Sequence, residues 1–398
     1  MVSVKQQYEA FPYPERDPED ERTRLITGSP SHPVEMDHYL FGGARDWSQP
    51  LRVLVAGGGT GDGLIQLGHY LKLTGKPHEI TYVDLSEASR AVAEARARVR
   101  GLTEISFHTG SLLDAAEYGQ FDYIDCCGVL HHLPDPDAGF RALRAALAPG
   151  GGLGFMVYAP YGRSGVYPLQ EAFGALFADL PAKKRLKSAK AAFEKLPEGH
   201  PFKRNPHLGD HRASDAGFYD LLLHGQDRAY DVASLVEVLE RTGWALSSFT
   251  TPLMYDPSRF ADVPKDMDPV TRMALAEKLC GTIRVHIAYA VAEGEERGRI
   301  ADPRNPDLVP HLIGVAPAAL AKAVAEGRPI PVKQGGETIP LRLPREAAPL
   351  LGRVTGKNSL REIAGANGMD GDRFAALWTP ATRDLTGWGL LLYSSFLR

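Results

Sequence analysis

The stretch Val53-Leu54-Val55-Ala56-Gly57-Gly58-Gly59-Thr60-Gly61, followed further on by Tyr82-Val83-Asp84-Leu85-Ser86, constrains the fold more than any other part of the chain. An apolar run ends in clustered glycines, an amphipathic stretch follows, and a second apolar run ends in an acid. This order predicts a strand, a tight turn, a helix, and a second strand with a carboxylate at its tip. Glycine suits a turn whose backbone passes close to a ligand, because a Cβ there would intrude. The helix N-terminus behind the turn offers free N–H groups to an anion. An acid at the end of the next strand can accept hydrogen bonds from ribose hydroxyls. The expected ligand is a nucleoside-bearing cofactor, held by Gly57, Gly58, Gly59, Thr60, Gly61, Asp84 and Leu85.

Glycine spacing narrows the choice of cofactor. The dinucleotide fingerprint needs G-x-G-x-x-G. Counting from Gly57 puts Asp62 at the third glycine, and counting from Gly59 puts Leu64 there; the chain reads G-x-G-x-G instead. Downstream, Ser86 to Arg100 predicts a helix with a serine cap and a stop at Gly101. Ile105–His108 predicts a third strand, leading to Gly110-Ser111-Leu112-Leu113-Asp114. Phe121–Cys127 predicts a fourth, leading to Gly128-Val129-Leu130-His131-His132-Leu133-Pro134-Asp135-Pro136. A helix over Ala138–Leu147 stops at Pro149-Gly150-Gly151-Gly152, and a fifth strand runs from Leu153 to Tyr158. Such alternation implies right-handed crossovers and a parallel sheet. Ligands then bind at the carboxyl ends of the strands, where each of these motifs falls.

The five motifs, in this order over Arg52–Tyr158, resemble the core of the class I S-adenosylmethionine-dependent methyltransferases. In detail the span is similar to the bacterial methyltransferase domains often fused to tetratricopeptide repeats, although no repeat of that period occurs in this chain. The resemblance extends over roughly Gln7 to Val291 and implies an α/β fold with a Rossmann-like, seven-stranded sheet. It implies S-adenosyl-L-methionine as cofactor, with Gly57, Gly59 and Gly61 beside its methionine part and Asp84 on its ribose hydroxyls. Ser111 and Leu112 would lie beside the adenine, and Cys127 and Gly128 beside the sulfonium. Two positions depart from the family pattern. An acid that contacts the methionine amino group often stands where this chain has Val55, so that contact must come from elsewhere or from backbone carbonyls. The adenine motif usually carries an acid where Ser111 stands, leaving a hydroxyl or Asp114 for the exocyclic amine.

Composition sets outer bounds. A chain of 398 residues suggests two or three domains. A net charge of −4 gives no overall attraction to nucleic acid or to anionic membrane. Of three cysteines, Cys126 and Cys127 are adjacent in a predicted strand and read as buried apolar side chains, neither a disulfide framework nor a metal site. His200, His207 and His211 are spaced too loosely for a metal. The N-terminus shows no signal region, and no apolar run approaches ~18 residues. The expectation is a soluble, cytoplasmic protein with no metal and no membrane partner.

Residues 1–50 form an arm containing Tyr8-Glu9-Ala10-Phe11-Pro12-Tyr13-Pro14. Two readings stand open for it: a cover over the cofactor, as in the resembling families, or an extended arm pinned by Phe11 and Tyr13. The methyltransferase-like domain spans 51–298 and resumes its alternation with a helix over Val232–Thr242 and strands over Trp244–Thr250 and Ile283–Val291. Between them an insertion over about 160–230 leaves the fifth strand above the pocket and reads as a helical lid. Its basic run, Lys183, Lys184, Arg185, Lys187, Lys190 and Lys195, is either a solvated helix face or a feature that favours an anionic acceptor. After a linker over Ala301–Asp307, residues 308–398 read as a small winged-helix-like domain. Ser359-Leu360-Arg361-Glu362 is a capping box, Asn367-Gly368 closes that helix, and a second helix over Asp372–Leu385 is kinked at Pro380. A strand over Gly389–Ser394 follows and needs a partner for its edge. Because Asp372 and Asp384 offset Arg373 and Arg383, nucleic acid is not an expected partner. A structural or protein-contact role fits instead, homo-oligomer formation included.

Methyl transfer from a sulfonium is an in-line displacement, so the protein must align the acceptor and, for many acceptors, remove a proton. His131, His132 and Tyr161 are the candidates for the chemistry. Tyr158, Arg163, Tyr167, Arg228 and Tyr230 are the candidates for binding the acceptor, with the segment from His224 to Tyr230 closing the pocket. No Asn or Asp followed by Pro-Pro-Tyr occurs after the fourth strand, which disfavours exocyclic amines of bases and glutamine amides as acceptors. The expected function is methyl transfer to a small or medium acceptor, anionic ones included. Two alternatives remain: a methyltransferase acting on protein or another macromolecule through the C-terminal unit, and a non-catalytic S-adenosylmethionine-binding protein.

Overall fold

The computed structural model describes residues 4–398. The N-terminal arm carries α1 (Val4–Ala10), a single 3-10 turn over Pro18–Arg22, and α2 (Pro33–Leu40). The sheet domain opens with β1 (Leu51–Ala56), α3 (Asp62–Leu73), β2 (His78–Asp84), α4 (Glu87–Val99) and β3 (Ile105–Thr109). It continues through β4 (Phe121–Cys127), α5 (Pro136–Ala145) and β5 (Leu147–Tyr158). Ser86 caps α4 as the sequence predicts, accepting the Ser89 N–H, whereas α5 starts and ends two residues earlier than expected, with Asp135 as its cap accepting the Ala138 N–H. The inner strands β1 and β4 are apolar on both faces because helices cover both sides of the sheet.

The insertion contains α6 (Val166–Phe177), α7 (Ala182–Glu194), the one-turn helices α8 (Pro201–Arg204) and α9 (Asp210–Ala213), and α10 (Asp215–Leu223). It has its own small core, in which Leu169, Phe173, Leu186, Phe202, Phe218 and Leu222 pack together. The sheet is then completed by α11 (Val232–Arg241), β6 (Trp244–Phe249), α12 (Pro269–Cys280) and β7 (Val285–Ala292).

The strands form one seven-stranded sheet in the order β3-β2-β1-β4-β5-β7-β6. The sheet is mixed: β1 to β5 run parallel, as their alternation with helices predicts, and one later strand is reversed. β7 runs antiparallel to both β5 and β6, because Phe249 at the end of β6 pairs near the start of β7 and α12 makes no crossover to the far end of the sheet. β5 also begins earlier than expected. Gly150-Gly151-Gly152 lies inside the strand, and Gly152 is required because α2 docks there: a Cβ would come within 2.5 Å of Leu40.

The C-terminal region comprises β8 (Pro310–Leu312), α13 (Pro317–Ala325), β9 (Ile330–Gln334), β10 (Glu337–Leu341), α14 (Ala348–Leu351), α15 (Leu360–Ala366), α16 (Gly371–Gly387) and β11 (Leu391–Tyr393). The capping box at Ser359 and Glu362 is formed, and α16 passes through Pro380. The order differs from a winged helix: the β9–β10 hairpin precedes α14, α15 and α16 instead of following them. β11 finds its partner in β8, within the same region. This region shares a continuous apolar core with the sheet domain, running from Phe155 and Trp244 through Phe249 and Met254 to Trp388, Leu351 and Trp378. It is also clasped by α2. Asp37 accepts hydrogen bonds from Trp47 Nε1 (3.2 Å) and the Ser394 hydroxyl (2.6 Å), and His38 Nδ1 accepts the Tyr393 N–H (3.1 Å). No helix among the described residues is long and apolar enough to cross a membrane.

Candidate functional site

A cavity of about 540 Å³ lies at the carboxyl ends of β1, β2, β4 and β5, beneath the N-terminal arm and the insertion. In its nucleotide half the turn after β1 is tied to the end of β2. The Gly57 N–H donates to the Val83 carbonyl (2.7 Å), and the Gly59 N–H donates to Asp84 Oδ2 (2.8 Å). Asp84 Oδ1 accepts the Ser86 N–H (2.9 Å), so each carboxylate oxygen keeps a lone pair for a ligand. Burial raises the Asp84 pKa against these bonds. Gly57 has φ +71°, and a Cβ there would meet Val129 at 2.6 Å; a Cβ on Gly59 would meet the Tyr13 carbonyl oxygen at 2.9 Å. The glycines therefore serve the packing of the turn as well as the approach of a ligand.

Gly57, Gly58, Gly59, Asp84, Leu85, Ser111, Leu112, Cys127 and Gly128 all line the cavity. Thr60 and Gly61 do not. The Thr60 hydroxyl is buried and donates to the Pro14 carbonyl (2.6 Å), and Gly61 packs on Ala93 of α4. Cys126 is buried as expected, whereas Cys127 is exposed and faces the cavity. Asp114 is exposed outside it, and Ser111 Oγ accepts the Leu113 N–H (3.1 Å).

The arm is both pinned and covering. Phe11 stacks on Tyr219 at 5.0 Å, while Tyr8, Tyr13 and Pro14 line the cavity. A charged chain fastens the arm: Arg16 donates to Asp62 (2.9 and 2.6 Å), Asp62 also pairs with Arg96 (2.7 Å), and Arg96 pairs with buried Glu21 (2.7 Å). Burial pushes the Asp62 pKa up, but the bonds and charges of Arg16 and Arg96 outweigh it and hold the carboxyl below its ordinary value.

The half of the cavity beneath the insertion is lined by Tyr8, Tyr13, His132, Met156, Tyr158, Arg163, Leu208, Asp210, Asp220 and Arg284. Asp220 on α10 is buried, and it accepts the Tyr8 hydroxyl (2.9 Å) and the Tyr158 hydroxyl (3.3 Å). Burial raises its pKa, with the His132 ring acting in the opposite sense. His132 Nδ1 lies 2.9 Å from the Gln226 carbonyl, which can only accept, so Nδ1 carries the proton and Nε2 of the neutral ring keeps its lone pair. His224 is the reverse: its Nδ1 accepts the Gln226 N–H (3.1 Å), leaving a proton on Nε2, which is 3.4 Å from the Tyr8 hydroxyl. One atom each of His132, Asp220 and His224 lies within 4.8 Å of the others, as do atoms of His131, His132 and Asp227. An ion in the first group would need the His224 proton on Nδ1, where it would face the Gln226 N–H donor; that donor set fits proton handling.

The other candidates fall in different places. His131 is buried under Tyr158 (3.9 Å between ring centroids), neither of its nitrogens has a partner, and burial drives its pKa well down. It does not line the cavity. Tyr161 is 36% exposed and points away from the site, because the turn over Tyr161–Arg163 turns Arg163 inward in its place. Arg163 lies over the Tyr158 ring at 3.6 Å and is held by Asp227 (3.1 Å) and the Tyr167 hydroxyl (3.0 Å); Tyr167 reaches the site only through it. Arg228 is exposed and donates its N–H to the His131 carbonyl (3.0 Å), while Tyr230 is a core residue whose N–H bonds the Tyr158 carbonyl (2.8 Å). Both fasten the loop without facing the cavity. In the basic run Arg185 is buried over Tyr219, Lys190 pairs with Asp215, and Lys183, Lys184, Lys187 and Lys195 are exposed; none lines the cavity. The site residues with no motif around them are Asp125, Gln66 and Ser31 at the β1 end, and Tyr8 and Asp220 at the acceptor end.

Residues 54–153 match the model of a methyltransferase-domain family. With the strand order and the glycine turn described above, the chain carries a class I S-adenosylmethionine-dependent methyltransferase domain. An uncharacterized protein of Synechococcus sp. is 32% identical over 271 residues, which cover 65% of this chain and 62% of that one. A ubiquinone biosynthesis O-methyltransferase of Xanthomonas campestris pv. campestris is 28% identical over 124 residues, covering 31% of this chain and 48% of that enzyme. The chain thus spans less than two thirds of either curated relative. The structure of PKMT2 from Rickettsia typhi shares the fold over 94% of this chain and 78% of its own, with a TM-score of 0.64 and 15% identity. The same protein in complex with AdoHcy superposes with a TM-score of 0.60 and 14% identity over 92% of this chain and 76% of its own.

Proposed function

We propose that this protein transfers the methyl group of S-adenosyl-L-methionine to a small or medium acceptor bound between Tyr8, Tyr13, Tyr158 and Asp220, with His132 as the base. The residues of the nucleotide half fit the cofactor: Asp84 keeps acceptor capacity for ribose hydroxyls, and Gly110, Ser111 and Leu112 offer a flat wall beside it. When bound, the cofactor supplies a methyl on a sulfonium, which leaves with its bonding electrons on sulfur as an acceptor lone pair forms the new bond. The chain's own residues do the remainder. Tyr8 and Tyr13 on the arm close the chamber against water, and the Asp220 carboxylate accepts from an acceptor hydroxyl or amine. His132 Nε2 takes the proton that the acceptor loses, and the Gln226 carbonyl bonded to Nδ1–H stabilises the resulting imidazolium.

The observation that carries this reading is the Gln226 carbonyl 2.9 Å from His132 Nδ1, which holds a proton there and leaves Nε2 of this cavity-lining ring to accept one. The lining also favours an uncharged or cationic acceptor over an anionic one. Asp210 and Asp220 face the cavity there against Arg284, whose guanidinium donates to the His207 carbonyl, while Arg163 is already paired with Asp227 and the basic run lies elsewhere. A covered chamber of this size favours a small acceptor over a macromolecular one. The test is transfer of labelled methyl from the cofactor in cell extract, with wild type and His132→Asn compared. Label in small metabolites is expected, with turnover of the variant down by about 10²–10⁴-fold and AdoHcy affinity unchanged. Label confined to protein bands would favour the macromolecular reading, and AdoHcy binding without any transfer the non-catalytic one.

A further inference from the structure

Four residues outside every recognised motif meet at the β1 end of the cavity. Asp125 lies on β4 directly beside Val55 of β1, and its carboxylate is buried. Oδ2 accepts the Ser31 hydroxyl (2.6 Å) and the Tyr123 hydroxyl (3.2 Å), while no described residue donates to Oδ1. The first turn of α3 comes up against this acid: a Cβ on Gly63 would lie 2.5 Å from Ser31 Oγ and 3.3 Å from Asp125 Oδ1. Gln66, three residues further along the same helix face, is 2% exposed. Its Oε1 accepts the Gly28 N–H at 2.6 Å, which fixes the amide and leaves buried Nε2 with no partner among the described residues. Ser31, Gly63, Gln66 and Asp125 all line the cavity.

A buried carboxylate with a bare oxygen and a buried amide with a bare NH₂ are each costly to keep, and native interiors rarely leave such groups unsatisfied. Together they are complementary to one chemical pattern, an ammonium beside a carboxylate. We propose that Asp125 and Gln66 form a receptor for the zwitterionic α-amino acid head of the cofactor. Asp125 Oδ1 accepts from its ammonium and Gln66 Nε2 donates to its carboxylate. The acid missing from the position of Val55 is then supplied one strand across, at the same level of the sheet. Ser31 and Tyr123 are positioning residues that hold the carboxylate by Oδ2. No charged side chain neutralises Asp125, and burial pushes its pKa up to about 6, so a bound ammonium is the partner that its ionised form lacks.

This inference rests on the cofactor reading above, and calorimetry on the full chain separates the two. The probes are S-adenosylhomocysteine and 5′-methylthioadenosine, which carries the nucleoside and sulfur without the amino acid head. Wild type is expected to prefer S-adenosylhomocysteine strongly. Asp125→Asn and Gln66→Leu should each weaken it by about ten- to hundredfold, the range for one lost hydrogen bond to a charged group, and leave 5′-methylthioadenosine unchanged. Equal weakening of both probes by both variants would make these residues structural and overturn the receptor while leaving the cofactor reading intact. Failure of wild type to bind either probe would overturn the cofactor reading, and the receptor with it.

Discussion

Asp84 has two tasks, and its substitution should show both. Each of its oxygens holds a backbone N–H of the turn, and in the proposed site each offers a remaining lone pair to the ribose. Asp84→Ala should weaken S-adenosylhomocysteine by about 1.5–3 kcal/mol in calorimetry. Unchanged affinity in a folded variant would remove Asp84 from the site. Asp125 gives the pH dependence. Its folded pKa of about 6 is set by burial, opposed by the Ser31 and Tyr123 bonds. The ammonium attracts only the ionised acid, so affinity for S-adenosylhomocysteine should be flat from about pH 7 up to the pH at which the ligand's own ammonium loses its proton. It should fall as pH drops through 6, approaching tenfold per unit, and Asp125→Asn should abolish the step. The two acids also differ in how visible they are in the sequence. Asp84 ends an apolar run behind a glycine turn, a local pattern. Asp125 sits inside such a run and Tyr8 reaches Asp220 across 212 residues, so only the folded chain brings them together. Tyr161 was the converse: sequence proximity to the pocket could not say which residue of a one-turn helix points inward.

At the scale of elements, the arm is the part whose energetics reach the site. Glu21 and Arg96 are both buried, and Arg96 also holds Asp62, which holds Arg16 close to Tyr13 and Pro14. Glu21→Ala would leave buried Arg96 with Asp62, itself shared with Arg16, and take an acid from Arg100, so it should lower stability by about 1.5–3 kcal/mol, read as a fall in thermal midpoint. In the same variant a cofactor-analogue affinity that falls would tie the arm to the site, and one that holds would confine Glu21 to folding. Helices were legible at Ser86 and Ser359, where a cap opens an amphipathic run, whereas α10 and α12 were missed although Ser214 and Asp268 cap them. The strand β7 was legible as a strand but its direction was not, because direction depends on which end of the sheet α12 returns to. The β9–β10 hairpin was missed although Gly335-Gly336, both with positive φ, marks its turn.

The whole molecule raises a different question, whether residues 308–398 are a module or part of one body. The apolar core passes without a break from the sheet to Trp388 and Trp378. Leu392 and Phe396 pack with Trp47 and Leu51 at the base of β1. Asp37 of α2 is buried, with its pKa raised by that burial, and bonds from Ser394, Arg45, Trp47 and Ser395 oppose the rise. Truncation at Pro303 would leave this carboxylate without the Ser394 and Ser395 donors and expose the apolar faces that β11 and α16 cover. The shortened chain should therefore be insoluble or melt far below the full one, even though no residue beyond 303 lines the cavity. The full chain should unfold in a single transition by both circular dichroism and tryptophan fluorescence, since Trp47 and Trp244 report the sheet side and Trp378 and Trp388 the C-terminal side of the same core. Two separated transitions, or a soluble truncated protein with an unchanged midpoint, would show instead that the C-terminal region folds by itself. In that case its contact with α2 would be a docking surface rather than part of the core.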